Sequence, residues 1–409
     1  MNILIVVTNY LPFIGGVEIH ARQVARQLSQ NGHTVSIAAG NFAPYKISPR
    51  LSLLATNLMA PSAPDSVDGS VPVHALTPRF PDRIRMLPIA IRCLPKISGF
   101  AYHPLNRFGY PFYRSVYLPR LQKLTEQADV VHSLAGNYLG WAAQESAHLA
   151  GVPFVCTPFV HPHQWGDGPE DVEYYQRADA VIGLVDTDRD YLVSLGVPEE
   201  KTHVIGVSPE LPDTADPEGF RKNYGLDSQK VILYVGRMMT QKGAMALADA
   251  APLVWNQFPE TRFVFIGPDS EKKFAGCDPR ILGLGRVSIQ EKADALAACD
   301  IFCMPSISEI LPTVYLEAWS YGKPVLGGMA HGLPELIEGN GAGLVSSQKV
   351  EELAGKLIQL LADPEKCMLY GNQGRELVIS KYSVPAVTNA LLSLYHNITA
   401  TQKIKRRTA

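Results

Sequence analysis

Two carboxylates, Glu309 and Glu317, are separated by seven residues in the run PSISEILPTVYLEAWSYGKPVLGG, Pro305 to Gly328. Between them Pro312 suits the first turn of a helix, where its missing N–H is not needed. Gly322 is placed to end that helix, and Pro324 to prevent its continuing. The apolar run Asp300–Met304 leads in and Lys323–Gly328 leads out. The unit therefore reads strand, loop, helix, strand, as in a parallel sheet. Such a helix starts at the carboxyl edge of the strands, where open α/β sheets bind ligands. The free N–H groups of Thr313 and Val314 would face there, with the positive end of the helix dipole behind them. That is a site for phosphate without a metal. Carboxylates repel phosphate, so Glu309 and Glu317 suit sugar hydroxyls on either side of it. Two glutamates at arbitrary spacing are otherwise solvated helix-start charges.

The run GRMMTQKG, Gly236–Gly243, follows a second apolar strand. Its Arg237 and Lys242 offer a planar fork and a point charge, and both neutralise a leaving diphosphate. Near the amino end, Gly15-Gly16 opens a helix after the strand Asn2–Thr8. Glycines there let a phosphate approach the backbone, although the pair alone is equally a turn. It lacks the spacing of a dinucleotide fingerprint. His132 ends a strand, and His161 and His163 lie in a Pro-rich loop after another. A D-x-D, Asp186–Asp188, could hold Mg²⁺ or Mn²⁺. It also opens a helix, where acids satisfy free N–H groups. Capping is preferred, because Arg237 and Lys242 already supply a diphosphate's counter-charge.

The block from Pro305 to Ala318 resembles the signature of retaining glycosyltransferases of the GT-B fold, glycosyltransferase family 4. Pro305, Ser306, Glu309, Pro312, Glu317 and Ala318 fall in register with it. The resemblance implies that Glu309 holds the transferred sugar and Glu317 the nucleotide ribose. It makes Arg237 and Lys242 the donor-phosphate pair and puts Gly16 near the pyrophosphate and acceptor. LGRVSIQEK, Leu284–Lys292, is similar to the segment whose backbone reads the base, with Val287 at that position. HGLPELIEGNGAGL, His331–Leu344, matches the closing loop, with Glu335 before a short helix. The family's second histidine after His132 is missing here, since Ser133 and Leu134 follow. His161 is then the better candidate for a polar group beside the transferred sugar.

These residues need elements to hold them. At 409 residues the chain is too long for one core and natural for two domains. Apolar content of 46% and charged content of 19% are globular values, and a net charge of −2 gives no global pull toward nucleic acid. The six cysteines are scattered and read as core thiols in a reducing cytoplasm. Met1–Thr8 reads as a buried strand rather than a leader, and no apolar run approaches a membrane span of roughly 18 residues.

Strands and helices alternate along most of the chain, which predicts a parallel α/β architecture, and the resemblance implies two Rossmann-like doubly wound parallel-sheet domains facing a cleft. The expected division is 1–205 for the acceptor domain and 206–383 for the nucleotide-sugar domain. The resemblance implies that a helix within 384–409 crosses back to the first, and the prolines and acids of Gly206–Gly225 read as the linker. Residues 41–119 form a Pro-rich insertion: twelve prolines against three acids sustain no period. Within it, 79–97 mixes arginines with Ile84, Leu87 and Ile89. It reads either as a peripheral contact with an anionic membrane or as an ordered cover over the acceptor side. Pro81, Pro88 and Pro95 forbid one long amphipathic helix and favour the cover.

The expectation is a metal-independent retaining enzyme, with no cofactor and a nucleotide-diphosphate sugar as co-substrate. Its acceptor would be a glycan, a lipid-linked glycan or a small molecule, and its place the cytoplasm or the inner face of the membrane. The alternatives are a sugar phosphorylase or nucleotide-sugar epimerase on the same fold, or a non-catalytic nucleotide-sugar-binding protein.

Overall fold

Strand β1 (Asn2–Asn9) shows the rule that builds the first sheet. Ile3, Ile5 and Val7 enter one buried cluster, and Leu4 and Val6 enter another. Successive side chains of a strand point to opposite faces, so an unbroken apolar strand has packed layers on both sides. Each such side chain contributes about 1.5–3 kcal/mol when fully buried. The computed structural model describes residues 1–12, 15–41, 58, 61–93 and 102–408. Helix Gly16–Gln30 and part of helix Val384–Thr408 cover the first face through Val24, Leu28, Leu391 and Tyr395. Helices Tyr102–Thr125 and Asn137–Ala150 cover the other through Tyr117, Leu121 and Ala143.

The other strands of this sheet are β2 (Thr34–Asn41), β3 (Ser66–Asp68), β4 (Val71–Ala75), β5 (Val130–Ser133), β6 (Phe154–Cys156), β7 (Ala180–Gly183) and β8 (Thr202–Val204). Their order is β3-β4-β2-β1-β5-β6-β7-β8, parallel except for the β3–β4 hairpin. The second sheet holds β9 (Val231–Val235), β10 (Arg262–Ile266), β11 (Ile281–Gly285), β12 (Ile301–Met304), β13 (Val325–Gly327) and β14 (Gly343–Val345). Its order is β11-β10-β9-β12-β13-β14, and every pairing is parallel. Contacts divide the chain into two units. One is Met1–Leu184, Arg189–Ile205 and Val387–Ala409; the other is Val185–Asp188 and Gly206–Ala386.

Several expectations are corrected. The Pro-rich insertion is not a long loop, because it carries β3, β4, helix Phe80–Met86 and most of helix Tyr102–Thr125. The hairpin turns at Gly69, whose φ of +66° suits glycine. Helix Tyr102–Thr125 contains Pro111 and Pro119, which masked its period. The predicted linker holds helix Pro217–Asn223, capped by the Asp216 side chain. Pro312 precedes its helix, which runs Thr313–Ser320, instead of occupying the first turn. β11 had no sequence signal that was recognised. Cys156, Cys299 and Cys303 are buried thiols, but Cys277 is exposed. The continuous helical stretch Pro364–Gln402 is long and apolar enough to cross a membrane by length and composition. Its residues Val387, Leu391 and Tyr395 are buried in the first unit's core, so that apolarity serves packing.

Candidate functional site

A parallel sheet opens a crevice where its strand order reverses, because the loops on either side leave in opposite directions. In the second sheet that point lies between β9 and β12. The loop after β9 carries Arg237 and Lys242, and the loop after β12 carries Glu309. The two loops are laced together. Gln241 O accepts from Ile307 N at 2.8 Å and from Ser306 Oγ at 3.0 Å. Gln348 Nε2 donates to Pro305 O at 2.8 Å. Gly243 has φ +77°, and a Cβ there would lie 2.6 Å from Pro305 Cγ and 2.7 Å from its carbonyl oxygen. Only glycine permits both the conformation and the approach.

This lacing sets two predicted residues in contact. Lys242 Nζ pairs with Glu309 Oε1 and donates to Ser308 O at 3.1 Å. Both side chains are mostly buried, at 16% and 14% exposure. Arg237 stands exposed at the start of the same loop, and its carbonyl accepts from Tyr234 Oη at 2.8 Å. Beyond Glu309 the chain enters helix Thr313–Ser320. Thr313 and Val314 are its first two residues, so their N–H groups have no intrahelical acceptor. Tyr315 N already turns back to Pro312 O at 3.0 Å.

Glu317 lies on the buried side of that helix, with its side chain 5% exposed. Lys292 Nζ reaches its two carboxylate oxygens at 2.8 and 2.7 Å. Burial pushes the Glu317 carboxyl above the usual range; Lys292 draws it back and Glu210 adds to the rise. Lys292 and Glu210 were not singled out from sequence. Lys292 did lie at the end of the quoted block LGRVSIQEK, within helix Ile289–Ala298. Val287 sits just before that helix, whose cap is Ser288, accepting from Glu291 N at 3.0 Å. The loop of Val287 and the helix of Glu317 are therefore joined through Lys292.

In the first unit, Gly16 begins helix Gly16–Gln30 beside the reversal between β1 and β5. Open space surrounds the position of its absent Cβ. Asn9 and Asn41 end the two neighbouring strands, and Asn41 Nδ2 donates to Asn9 Oδ1 at 2.9 Å. Glu18 is buried in the first turn of the helix, and burial raises its carboxyl pKa. His161 stands in the loop after β6; its ring lies 4.6 Å from that of Trp165, and its N–H donates to Trp165 O at 3.1 Å. His163 has φ +60°, and its amide donates to Asp167 at 2.6 Å. His132 does something else. It is buried, with Nδ1 2.6 Å from Tyr395 Oη and Nε2 2.8 Å from Thr157 Oγ1. Burial holds its pKa down to about 3, so it ties the last helix to the sheet as a neutral ring.

Asp186 and Asp188 occupy the first turn of helix Asp186–Ser194, as acids at a helix start do. Between them the Thr187 amide donates to Glu335 at 2.9 Å.

Known families match most of the chain. Residues 15–207 match the glycosyl transferase 4-like domain, and residues 229–363 match the glycosyl transferases group 1. An alpha-D-kanosaminyltransferase of Streptomyces kanamyceticus is 29% identical over 54% of this chain and 61% of its own. A GDP-mannose-dependent monoacylated alpha-(1-6)-phosphatidylinositol monomannoside mannosyltransferase of Corynebacterium glutamicum is 32% identical, over 43% of this chain and 49% of its own. The chain thus spans between about half and three fifths of these relatives' length. Among solved structures, Anabaena HepE with UDP and glucose superposes with a TM-score of 0.69 at 17% identity, covering 97% of this chain and 100% of that one. A sucrose-phosphate synthase of Thermosynechococcus elongatus also gives 0.69, at 18% identity, over 98% and 99%. These likenesses fix the fold, and with the two sequence matches they place the chain among the group 1 glycosyl transferases of family 4 type, built on the GT-B fold.

Proposed function

We propose that this chain is a retaining, metal-independent glycosyltransferase that moves a sugar from a nucleotide-diphosphate sugar to a glycan, lipid-linked or small-molecule acceptor. The observation that carries the reading is the Lys242–Glu309 contact. The bond to be broken joins the sugar to its diphosphate, so a phosphate cation and a sugar carboxylate must be neighbours. Arg237, Lys242 and the Thr313 and Val314 amides receive the charge that develops on the leaving diphosphate. Glu309 takes hydroxyls of the transferred sugar, Glu317 those of the ribose, and the backbone at Val287 meets the base. The sugar's bond to the diphosphate oxygen breaks, and its electron pair stays on that oxygen. The acceptor hydroxyl attacks from the same face and gives its proton to the departing oxygen. The first unit supplies the acceptor side, with Gly16 and His161.

The enzyme works in the cytoplasm at the inner face of a membrane. Supporting this, Phe80, Ile84 and Leu87 are 76%, 54% and 59% exposed and recur at helical spacing. Arg79 and Arg85 are exposed beside them, which suits anionic lipid. Residues 94–97 of the predicted surface 79–97 lie outside the described residues.

The deciding assay offers a panel of nucleotide sugars and reads nucleotide release with mixed acceptors. Proton NMR of the product should show the donor's anomeric configuration, and EDTA should leave the rate unchanged. Inversion would remove the retaining mechanism. Complete loss in EDTA, restored by Mn²⁺, would favour the Asp186–Asp188 alternative. Sugar phosphate formed from inorganic phosphate would make the enzyme a phosphorylase.

A further inference from the structure

A crevice of about 460 Å³ lies wholly within the first unit, between helices Tyr102–Thr125, Asn137–Ala150 and Pro169–Gln176. Its volume is in the range of small-ligand sites. Helix Asn137–Ala150 follows β5, and helix Pro169–Gln176 follows the His161 loop after β6. Both therefore start from the carboxyl edge of the sheet, the edge that also carries Gly16.

The lining chooses the ligand. Tyr110 and Trp141 form an aromatic corner, with ring centroids 5.4 Å apart at 73°. The charges are balanced. Glu145 is held by Arg114 at 2.5 Å and takes Tyr110 Oη at 2.8 Å. Glu173 pairs with Arg107 at 3.0 Å and with Arg177 at 3.8 Å. Glu170 is buried, 3.9 Å from Arg107. Arginines and carboxylates that answer one another leave no net attraction for an ion, but keep spare N–H groups and lone pairs for hydroxyls. The indole N–H of Trp141 is shielded from water and has no acceptor among the described residues. A buried donor left without a partner gains from any oxygen that side-chain motion lets reach it. Aromatic faces beside dense, neutral hydrogen-bonding capacity match one class of molecule: uncharged sugar.

We infer that this crevice binds a neutral sugar unit of the acceptor, away from the hydroxyl that is glycosylated. The inference rests on the acceptor being a glycan, and its test uses no donor, so the two can fail separately. Saturation-transfer NMR on the full chain would probe maltose, sucrose and mannobiose, with a glucuronate-containing disaccharide and glucosamine as charged controls. At least one neutral disaccharide should receive saturation. Its affinity should fall at least tenfold in Trp141→Leu. The exposed pair Arg107→Ala/Glu173→Ala, which leaves the core intact, should weaken it severalfold. Lys242→Ala should bind it as the parent does. The inference is overturned if no neutral disaccharide binds, if only the charged sugars do, or if both crevice variants bind like the parent. Loss in Lys242→Ala would also overturn it, by moving the sugar to the donor site.

Discussion

The two sheets reverse strand order in the same way, yet their crevices hold different chemistry. Around β9 and β12 opposite charges come together, Lys242 against Glu309 from the two loops and Lys292 against Glu317 from two helices. Between β1 and β5 the surroundings are a bare glycine, a half-buried amide pair and a buried Glu18. Topology opens the crevice; the loop residues decide whether it suits a dianionic tail or a neutral hydroxyl. The crevice with two lysine–glutamate pairs should therefore carry most of the catalytic term and the other most of the acceptor choice.

Substitution at the charged crevice should break function hardest. Lys242→Ala and Glu309→Gln are expected to lower transfer by about 10²–10³, the usual loss for one preorganised electrostatic group. His161→Ala should cost about tenfold or less in kcat/KM under the same conditions. Equal losses would erase the distinction between the two units.

The glycines give a second contrast. Gly243→Ala meets both a positive φ and the Pro305 ring, and should destabilise by about 1–3 kcal/mol. Gly16→Ala has open space and should leave the melting midpoint unchanged or slightly higher. Any cost there should appear in KM, where a ligand approaches the backbone. A lower midpoint for Gly16→Ala than for Gly243→Ala would contradict the packing described.

The units should also answer pH with opposite signs. Burial lowers His132 to about 3 and His20 to about 4. The unfolded chain then binds protons that the folded one refuses, and stability falls as pH drops below the ordinary histidine range. For His132 alone this is about 2 kcal/mol between pH 7 and pH 5. Glu317 is shifted upward, so its unit loses stability as pH rises above the usual carboxylate range. Urea midpoints across pH should show the acid slope reduced in His132→Gln and the opposite slope reduced in Glu317→Gln. Unchanged slopes would mean that neither group titrates as described.

The smallest effect belongs to the exposed face of helix Phe80–Met86. Leu87→Ala or Phe80→Ala should reduce sedimentation with anionic vesicles by less than about tenfold and leave nucleotide binding alone. Equal binding to neutral and anionic vesicles would remove the role of Arg79 and Arg85.

Legibility in the sequence follows the same division. Apart from β11 and helix Pro217–Asn223, the second unit reads well, because its strands are short apolar runs, its longer helices have a period, and glycine or proline marks most boundaries. Residues 41–119 read poorly. Pro111 and Pro119 sit inside a 24-residue helix, a case that proline's usual meaning misreads. The hairpin's two-residue loop, Gly69-Ser70, is a local turn signal lost among the prolines around it. Lys292 gave no signal, because a lysine on a helix is ordinarily a solvated charge.

By itself the sequence determined the alternation of strands and helices, the glycines at the loop turns, and the spacing of Glu309 and Glu317 about a helix start. These are local properties, set by side-chain period and by which residues tolerate a turn. Tertiary structure alone decided that Lys242 meets Glu309 across 67 residues and Lys292 meets Glu317 across 25. Those meetings depend on β12 pairing with β9 and on helix Ile289–Ala298 lying against helix Thr313–Ser320. Strand order is fixed by the packing of whole layers, and no single segment encodes it.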